Sequence, residues 1–299
     1  MVNDDLFRRL NNREYKNWMK AGRCLIILKE NLAPFLNLQM SAFHRDLLNQ
    51  NALLRKHCAS SCRPIGNMCA VCSEWKTVIL SHHRQPNTTV NWDNCVPSNW
   101  GTNHWELAKA FMPRGQAKVK AADQFDIAAL LNLINYCDWF HSVDLKVVRE
   151  VIRHRNDLMH SPDFHVKDEW MKHYTITLRN LLRQFRHVPQ MATAEQQIDE
   201  MLAADWTIYV DGLDQMDSTN ADMVEADSDG CHMITADLIS QWERELLQER
   251  LEELLDDADD TKIPDDDQLK CLGGFLQDNR DLSEHFSTEL QTINSLRKR

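Results

Sequence analysis

The scarcity of glycine and proline is the feature that most restricts what this chain can form. Only 8 Gly and 8 Pro occur among its 299 residues, and these two residue types form many of the tight turns that join short strands. A protein built from many strands would need more of them. Hydrophobic residues make up 43% of the sequence, which is enough for a packed core. The sequence therefore predicts an all-α protein with long helices.

Helical periodicity and composition divide the chain into three predicted regions. Residues 1–188 are expected to form a helical domain, in which Pro34 is the clearest interruption of the first helices and residues 57–103 are a Cys/His-rich insertion. Residues 189–232 are expected to be an acidic, flexible linker. Residues 233–299 are expected to form an acidic helical hairpin, which offers a surface for a protein partner.

Charge is distributed unevenly between these regions. Residues 1–188 contain 26 Lys/Arg and 17 Asp/Glu, whereas residues 189–299 contain 8 and 28. A basic surface attracts phosphate backbones, so RNA is an expected partner of the first region. The same Lys and Arg side chains are also what solvated helix surfaces carry, and charge alone does not separate these two interpretations.

The compartment is predicted from what the sequence lacks. Its first residues are acidic where a secretory signal would be basic, and its longest apolar stretches, such as residues 127–134, are too short to span a bilayer. We therefore expect an intracellular protein, cytoplasmic or nuclear, without membrane association. In that compartment cysteines are mostly reduced thiols or metal ligands.

Cysteine spacing predicts a structural zinc site in the insertion. Cys58 and Cys62 are separated by three residues, and Cys69 and Cys72 by two; two close pairs joined by a loop are typical of structural zinc sites. This is the first candidate ligand set, and it comprises Cys58, Cys62, Cys69 and Cys72.

A second ligand set combines Cys69 and Cys72, which form a CxxC knuckle, with His82 or His83 and with Cys95. A straight helix after the knuckle would place His83 roughly 16 Å from Cys72, at about 1.5 Å per residue. Neither histidine could then share an ion with the knuckle unless the helix were short or bent. Cys95 follows a turn-rich loop and can return to the knuckle more easily, so both ligand sets remain open.

A second group of candidate residues closes a predicted helix. Asp144 can cap this helix, which runs to Met159 and is ended by Ser161-Pro162. Arg155 and His160 lie near its end, from which both can project toward one ligand. Arginine binds phosphate bidentately, and histidine transfers protons near neutral pH, so together they suit RNA cleavage. The alternative is a helix end whose histidine caps the chain and favours the helix dipole.

The segment Arg155-Asn156-x3-His160 resembles the active-site motif of HEPN domains. Two flanking segments are similar to the HEPN domain of the DAZ-interacting zinc-finger ubiquitin ligase. The first is Trp100-x4-Trp105-Glu106-Leu107-Ala108-Lys109-Ala110-Phe111-Met112-Pro113. The second is Leu130-Leu131-Asn132-Leu133-Ile134-Asn135-Tyr136-Cys137. From Tyr15-Lys16-Asn17-Trp18 to the C-terminal helices, the chain also resembles a vertebrate family named for open reading frame thirty-eight on the human X chromosome.

The HEPN resemblance implies an all-α, HEPN-like bundle and a role for each motif residue. Arg155 would bind phosphate, Asn156 would give polar support, and His160 would act in acid/base chemistry. HEPN sites are normally composite, which implies a homodimer acting on single-stranded RNA without a metal. Other HEPN domains are inactive and serve as dimerisation, RNA-binding or protein-binding modules. Two functions are therefore expected, an endoribonuclease or a binding module without catalysis.

Several other enzyme classes are excluded by their motifs. The sequence has no GxSxG nucleophile elbow, no GxxxxGK[ST] phosphate loop and no HExxH metalloprotease motif. The Cys and His spacings also differ from those of a DNA-reading zinc finger.

Overall fold

A computed structural model describes residues 2–58, 62–63, 66–85, 87, 90–208, 234–259 and 266–297. These residues contain helices and no β-strand, which confirms the predicted all-α class. The α-helices are α1 (Val2–Asn11), α2 (Arg13–Gln50), α3 (Ala70–Ser81), α4 (His104–Ala108), α5 (Ile127–Tyr136), α6 (Leu145–Met159), α7 (Asp168–Gln184), α8 (Pro189–Ala203), α9 (Ala236–Asp259), α10 (Asp266–Asp278), α11 (Arg280–His285) and α12 (Ser287–Leu296). Short 3₁₀ helices span Ala52–Arg55, Trp92–Asn94, Pro97–Asn99, Lys109–Phe111, Ala122–Gln124 and Asp138–Phe140.

The chain folds into two compact units. The terminal unit comprises residues 1–20, 161–168 and 203–299, and the central unit comprises residues 21–160 and 169–202. Helix α2 contributes residues to both. The division into independent domains at residues 188 and 232 stays a prediction.

Part of the predicted acidic linker is helical. Residues 189–203 form α8, in which Met191, Ala194 and Ile198 are buried. Their spacing of three and four residues gives α8 one apolar face, which packing can stabilise. Residues 204–208 of the predicted linker are described and not helical, and residues 209–232 lie outside the described residues.

Helix α2 continues through Pro34, where the sequence predicted an interruption. Proline removes one backbone hydrogen bond inside a helix, at a cost of about 3 kcal/mol. Pro34 is exposed, however, while Leu36, Met40 and Phe43 are buried on the other side of the helix. Burial of this apolar face offsets the lost bond.

Among the described helices none is both long and apolar enough to cross a membrane.

Helices α5 and α6 pack against each other in the central unit. Eight of the ten residues of α5 are buried, as expected for a helix that is apolar on most sides. Arg149 Nε, in the first half of α6, donates to Asn135 Oδ1 near the end of α5 at 2.9 Å. The two helices therefore run antiparallel.

Aromatic side chains fill the core beside the cysteine-rich segment. Trp75, Trp100 and Trp105 are all buried. The His44 ring stacks on Trp75 with 5.5 Å between ring centroids, and His44 Nε2 lies 2.7 Å from the Trp100 carbonyl oxygen. These tryptophans therefore pack inside the protein, and their faces are not available for stacking on bases.

A network of buried polar groups joins the ends of the chain in the terminal unit. The Arg9 guanidinium donates to both carboxylate oxygens of Glu243, at 2.7 and 3.0 Å, and to Asp281 at 2.7 Å. The Tyr15 hydroxyl also donates to Glu243. These bonds tie α1 and the start of α2 to α9 and α11.

A second arginine of the terminal unit, Arg250 in α9, is buried beside an aromatic ring. Its Nη1 donates to the Ser161 carbonyl oxygen at 2.8 Å, and its guanidinium carbon lies 4.4 Å from the centre of the Phe164 ring. Desolvation lowers the pKa of Arg250 to about 10. Phe164 has a φ of 57°, which is rare for a bulky residue. Arg250 therefore holds a strained turn in place.

The C-terminal region has more helices than the predicted hairpin. The stretch after residue 265 divides into α10, α11 and α12, with breaks at Asn279 and Phe286. Asn279 has an extended backbone; its Nδ2 donates to the Phe275 carbonyl oxygen at 2.7 Å, and its Oδ1 accepts from Arg9. These side-chain bonds favour a break in the helix at Asn279.

Candidate functional site

Helix α6 begins and ends where the sequence predicted. Asp144 caps its first turn by accepting from the Lys146 N–H at 2.9 Å. At the other end, the His160 N–H donates to the Asn156 carbonyl oxygen at 2.9 Å. His160 is therefore the C-cap of α6.

The three motif residues of α6 do not share one environment. Arg155 is buried, with 3% of its side chain exposed, and its Nη2 lies 3.5 Å from Asp126 Oδ2. Asn156 and His160 are exposed. Residues five apart in an α-helix differ by about 140° around its axis, whereas residues four apart share a face. The structure thus brings Asn156 and His160 onto one exposed face and turns Arg155 inward.

The partner of Arg155 is itself part of a helix cap. Asp126 precedes α5, and its Oδ1 accepts from the Ala129 N–H at 2.7 Å. The ion pair therefore links the C-terminal half of α6 to the N-terminus of α5. This arrangement gives Arg155 a structural role in the packing of the two helices.

His154 is a buried titratable group that the sequence analysis did not single out. Its ring meets Trp170 and Tyr174 edge-on, with ring centroids 5.1 and 5.8 Å apart, and its burial lowers the pKa of the imidazole. Val151, His154 and Leu158 follow at three- and four-residue spacing along α6. This apolar periodicity is the sequence signal from which the burial of His154 could have been predicted.

The exposed face of α6 carries a row of basic side chains. Lys146, Arg149 and Arg153 are exposed and lead at three- and four-residue spacing to Asn156 and His160. This row of five residues, the α6 stripe, extends for about 21 Å along the helix. Two acidic residues, Glu150 and Asp157, are exposed four residues after Lys146 and Arg153 and therefore border the stripe, so the exposed surface of α6 keeps an excess of one positive charge.

The structure also brings together the four cysteines of the first predicted ligand set. The Sγ atoms of Cys58, Cys62, Cys69 and Cys72 all lie within 4.8 Å of one another. Cys58 Sγ is 3.5 Å from Cys62 Sγ and 3.7 Å from Cys69 Sγ. We call these four residues the cysteine cluster, and its sulfur atoms are close enough together to hold one metal ion.

Local structure explains how the cysteine cluster is assembled. Cys69 is the N-cap of α3 and Cys72 lies in its first turn, so the helix start places both sulfur atoms together. The Cys69 N–H donates to Cys62 Sγ at 3.2 Å. A hydrogen bond from the Cys72 N–H lowers the pKa of the Cys69 thiol to about 7.

The residues of the alternative ligand set have other contacts. His82 Nδ1 lies 2.8 Å from Asp138 Oδ1. His83 is stacked between Phe111 and Tyr136. Cys95 is buried, and desolvation raises the pKa of its thiol to about 12. Within the described part of the chain, none of these three joins the cysteine cluster.

Comparison with known proteins places the chain in a family. Residues 9–299 match a family model described as a domain of unknown function, DUF4559. The chain is also similar to a mouse (Mus musculus) protein named "Uncharacterized protein CXorf38 homolog", with 38% identity over 307 residues that cover 99% of this chain and 93% of the mouse protein. No solved structure matches the chain. The chain therefore belongs to the DUF4559 family and, as its sequence resemblance predicted, to the CXorf38 family.

Proposed function

We propose that this protein is a HEPN-like module that binds single-stranded RNA through the α6 stripe without cutting it. The observation that carries the proposal is the division of the motif between two faces of α6. The arginine faces inward to Asp126, while the exposed face presents Lys146, Arg149 and Arg153 beside His160.

The burial of Arg155 argues against a catalytic role. An arginine that grips the phosphate of a reacting nucleotide must reach it with its guanidinium group. Here the side chain is 3% exposed and forms an ion pair. Moving it outward would leave Asp126 without this charge partner.

The charge of the surrounding unit favours RNA as the ligand. The residues of the central unit include 20 Lys/Arg and 15 Asp/Glu, whereas those of the terminal unit include 14 and 30. Phosphate contacts from Lys and Arg supply most of the affinity of non-specific nucleic-acid binding. The α6 stripe concentrates three such side chains on one exposed helix face.

The HEPN resemblance adds a homodimer to this proposal, with the two copies placing their α6 helices side by side. It also leaves the acidic C-terminal helices as a surface for a protein partner.

The second candidate function is a metal-independent endoribonuclease. It is favoured by the exposure of Asn156 and His160 on one face, because a proton-transferring histidine must reach its substrate.

RNA binding by the full-length protein tests the proposal. We would measure the affinity for a labelled single-stranded RNA at several salt concentrations, for the wild type and for Lys146→Ala/Arg153→Ala. The slope of log K against log salt is negative, and each lost phosphate contact reduces its magnitude by about 0.7. The double variant should therefore bind more weakly, with a slope that is less steep by about 1.4. Lys172→Ala/Arg183→Ala removes two exposed cations from α7 and should leave the slope unchanged.

The same RNA separates binding from cutting. We expect it to stay intact during incubation with the wild type. Cleavage that is lost in His160→Ala would replace the proposed function with the endoribonuclease. Equal weakening by both double variants would show that the α6 stripe is not the binding surface.

A further inference from the structure

We propose that the cysteine cluster binds one zinc ion as a closed structural site. The ligands are the thiolates of Cys58, Cys62, Cys69 and Cys72, which lose their protons to solvent when the metal binds. This inference does not depend on the RNA-binding function, because none of the four cysteines belongs to the α6 stripe.

Distances between the sulfur atoms fit a single ion. Zinc binds thiolates at about 2.3 Å, so two sulfurs of a regular tetrahedron lie about 3.8 Å apart. In the cysteine cluster two of these distances are 3.5 and 3.7 Å, and all sulfurs lie within 4.8 Å of one another. A disulfide needs about 2.0 Å. An iron–sulfur cluster is larger than one ion and would hold its cysteines farther apart.

The backbone conformation of Gly66, between the two cysteine pairs, suits such a site. Gly66 lies between Cys62 and Cys69 and has a φ of 129°, a conformation that side chains other than glycine's rarely adopt. A turn at Gly66 favours the return of Cys69 toward Cys62. The N–H of Cys69 then donates to Cys62 Sγ, a bond that is strongest when the sulfur is a thiolate.

Basic residues flank the cysteines in the sequence, and their charge suits that of the site. One zinc ion with four thiolates carries a net charge of −2. Arg55, Lys56 and His57 precede Cys58, Arg63 follows Cys62, and all four are exposed. Arg55, Lys56 and His57 line the same cleft as Cys58 and Cys72. The positive charges of Arg55 and Lys56 lower the free-energy cost of placing several thiolates close together.

Zinc is expected to organise the insertion rather than to take part in a reaction. With four protein ligands, no coordination position remains for water or substrate. Cys72 Sγ lies 3.6 Å from the Pro97 carbonyl oxygen, so the site adjoins a third part of the insertion. One ion would thus hold the start of α3 against the chain that follows Ala52–Arg55.

Metal analysis of the full-length protein tests the inference. Protein produced with zinc in the medium should contain one zinc per chain by mass spectrometry of the elements. Cys62→Ser should lose this zinc, whereas Cys95→Ser, in the same insertion but outside the cluster, should keep it. After exchange, cobalt should give the visible bands of a tetrahedral ion and thiolate-to-cobalt charge-transfer bands.

A second measurement avoids variants that fail to fold. Titration of the wild-type protein with an organomercurial should release the zinc in proportion to the thiols consumed, as read with a chromogenic chelator. Zinc-free wild-type protein, iron with inorganic sulfide, a disulfide within the cysteine cluster, or zinc that persists in Cys62→Ser and is lost in Cys95→Ser would each overturn the proposal.

Discussion

Arg155 is the motif residue whose surroundings favour one of the two candidate functions over the other. In the HEPN motif, which this segment resembles, the arginine is expected to bind phosphate, and its spacing to the histidine suits that role. In the structure it is buried and pairs with Asp126, while the neighbouring Asn156 is exposed. The helical rotation between positions 155 and 160 separates the arginine of the motif from its histidine.

Replacement of Arg155 should therefore change stability. Arg155→Ala leaves Asp126 without its cationic partner, and breaking a fully buried pair costs about 3–5 kcal/mol. Because Asp126 is partly exposed, we expect the free energy of unfolding in urea to fall by about 2 kcal/mol. His160→Ala removes an exposed side chain and should change it by less than about 0.5 kcal/mol. Equal effects of the two substitutions would contradict a structural role for Arg155.

Helices whose ends carry strong local signals could be predicted from the sequence. The cap at Asp144 and the Ser161-Pro162 stop define α6, because the groups that begin and end this helix are neighbours in sequence. The CxxC spacing likewise brought Cys69 and Cys72 to one helix start. Short-range rules were sufficient in both cases.

Elements that depend on distant residues were not predictable in the same way. Helix α2 passes Pro34 because burial on its other face outweighs a local defect. The break at Asn279 involves Arg9, 270 residues earlier in the chain. The inward position of Arg155 depends on Asp126 from another helix. A local pattern holds no information about these partners.

The packing of α6 against α7 should respond to acid. Burial lowers the pKa of His154, whereas an unfolded histidine titrates near about 6.5. The unfolded chain therefore binds more protons than the folded chain just below that pH, and stability falls as pH falls. We expect the free energy of unfolding to decrease from pH 7 to pH 5, as measured by urea denaturation.

Two substitutions test whether this acid sensitivity arises from His154 between α6 and α7. His154→Gln removes the buried imidazole, so its stability should decrease less between pH 7 and pH 5. The exposed His187 supplies the control, and His187→Gln should keep the wild-type decrease. Identical pH profiles for all three proteins would rule out a contribution from His154. The same burial effect at His44, His83 and His104 leaves a residual decrease in His154→Gln.

At the scale of the whole molecule, the N-terminal helix α1 is bonded to helices near the C-terminus of the sequence. Arg9 lies in α1, yet its guanidinium is paired with carboxylates of α9 and α11. Glu243 is fully buried, and a buried carboxylate without a cation is strongly destabilising. The N-terminal helix is therefore an integral part of the terminal unit.

Deletion of residues 1–12 should expose this dependence. Without Arg9, the carboxylate of Glu243 keeps only the Tyr15 hydroxyl among its described partners. We expect the backbone amides of α9 and α11 to exchange with deuterium at least about tenfold faster, which corresponds to a loss of about 1.4 kcal/mol of local stability. Arg280→Ala breaks only the exposed pair with Glu284 and should leave exchange in α9 unchanged. Unaltered exchange after the deletion would refute the role assigned to Arg9.

The surroundings of Arg250 set a limit on how this family can vary. A planar guanidinium covers the Phe164 ring while one of its nitrogens reaches the Ser161 carbonyl oxygen. Lysine carries the same charge, but its ammonium group is compact and not planar. It could therefore lie over the Phe164 ring or donate to the Ser161 carbonyl oxygen, but not both. Relatives that keep this turn should therefore retain arginine at position 250. Relatives that lack this arginine should also have a different residue at position 164.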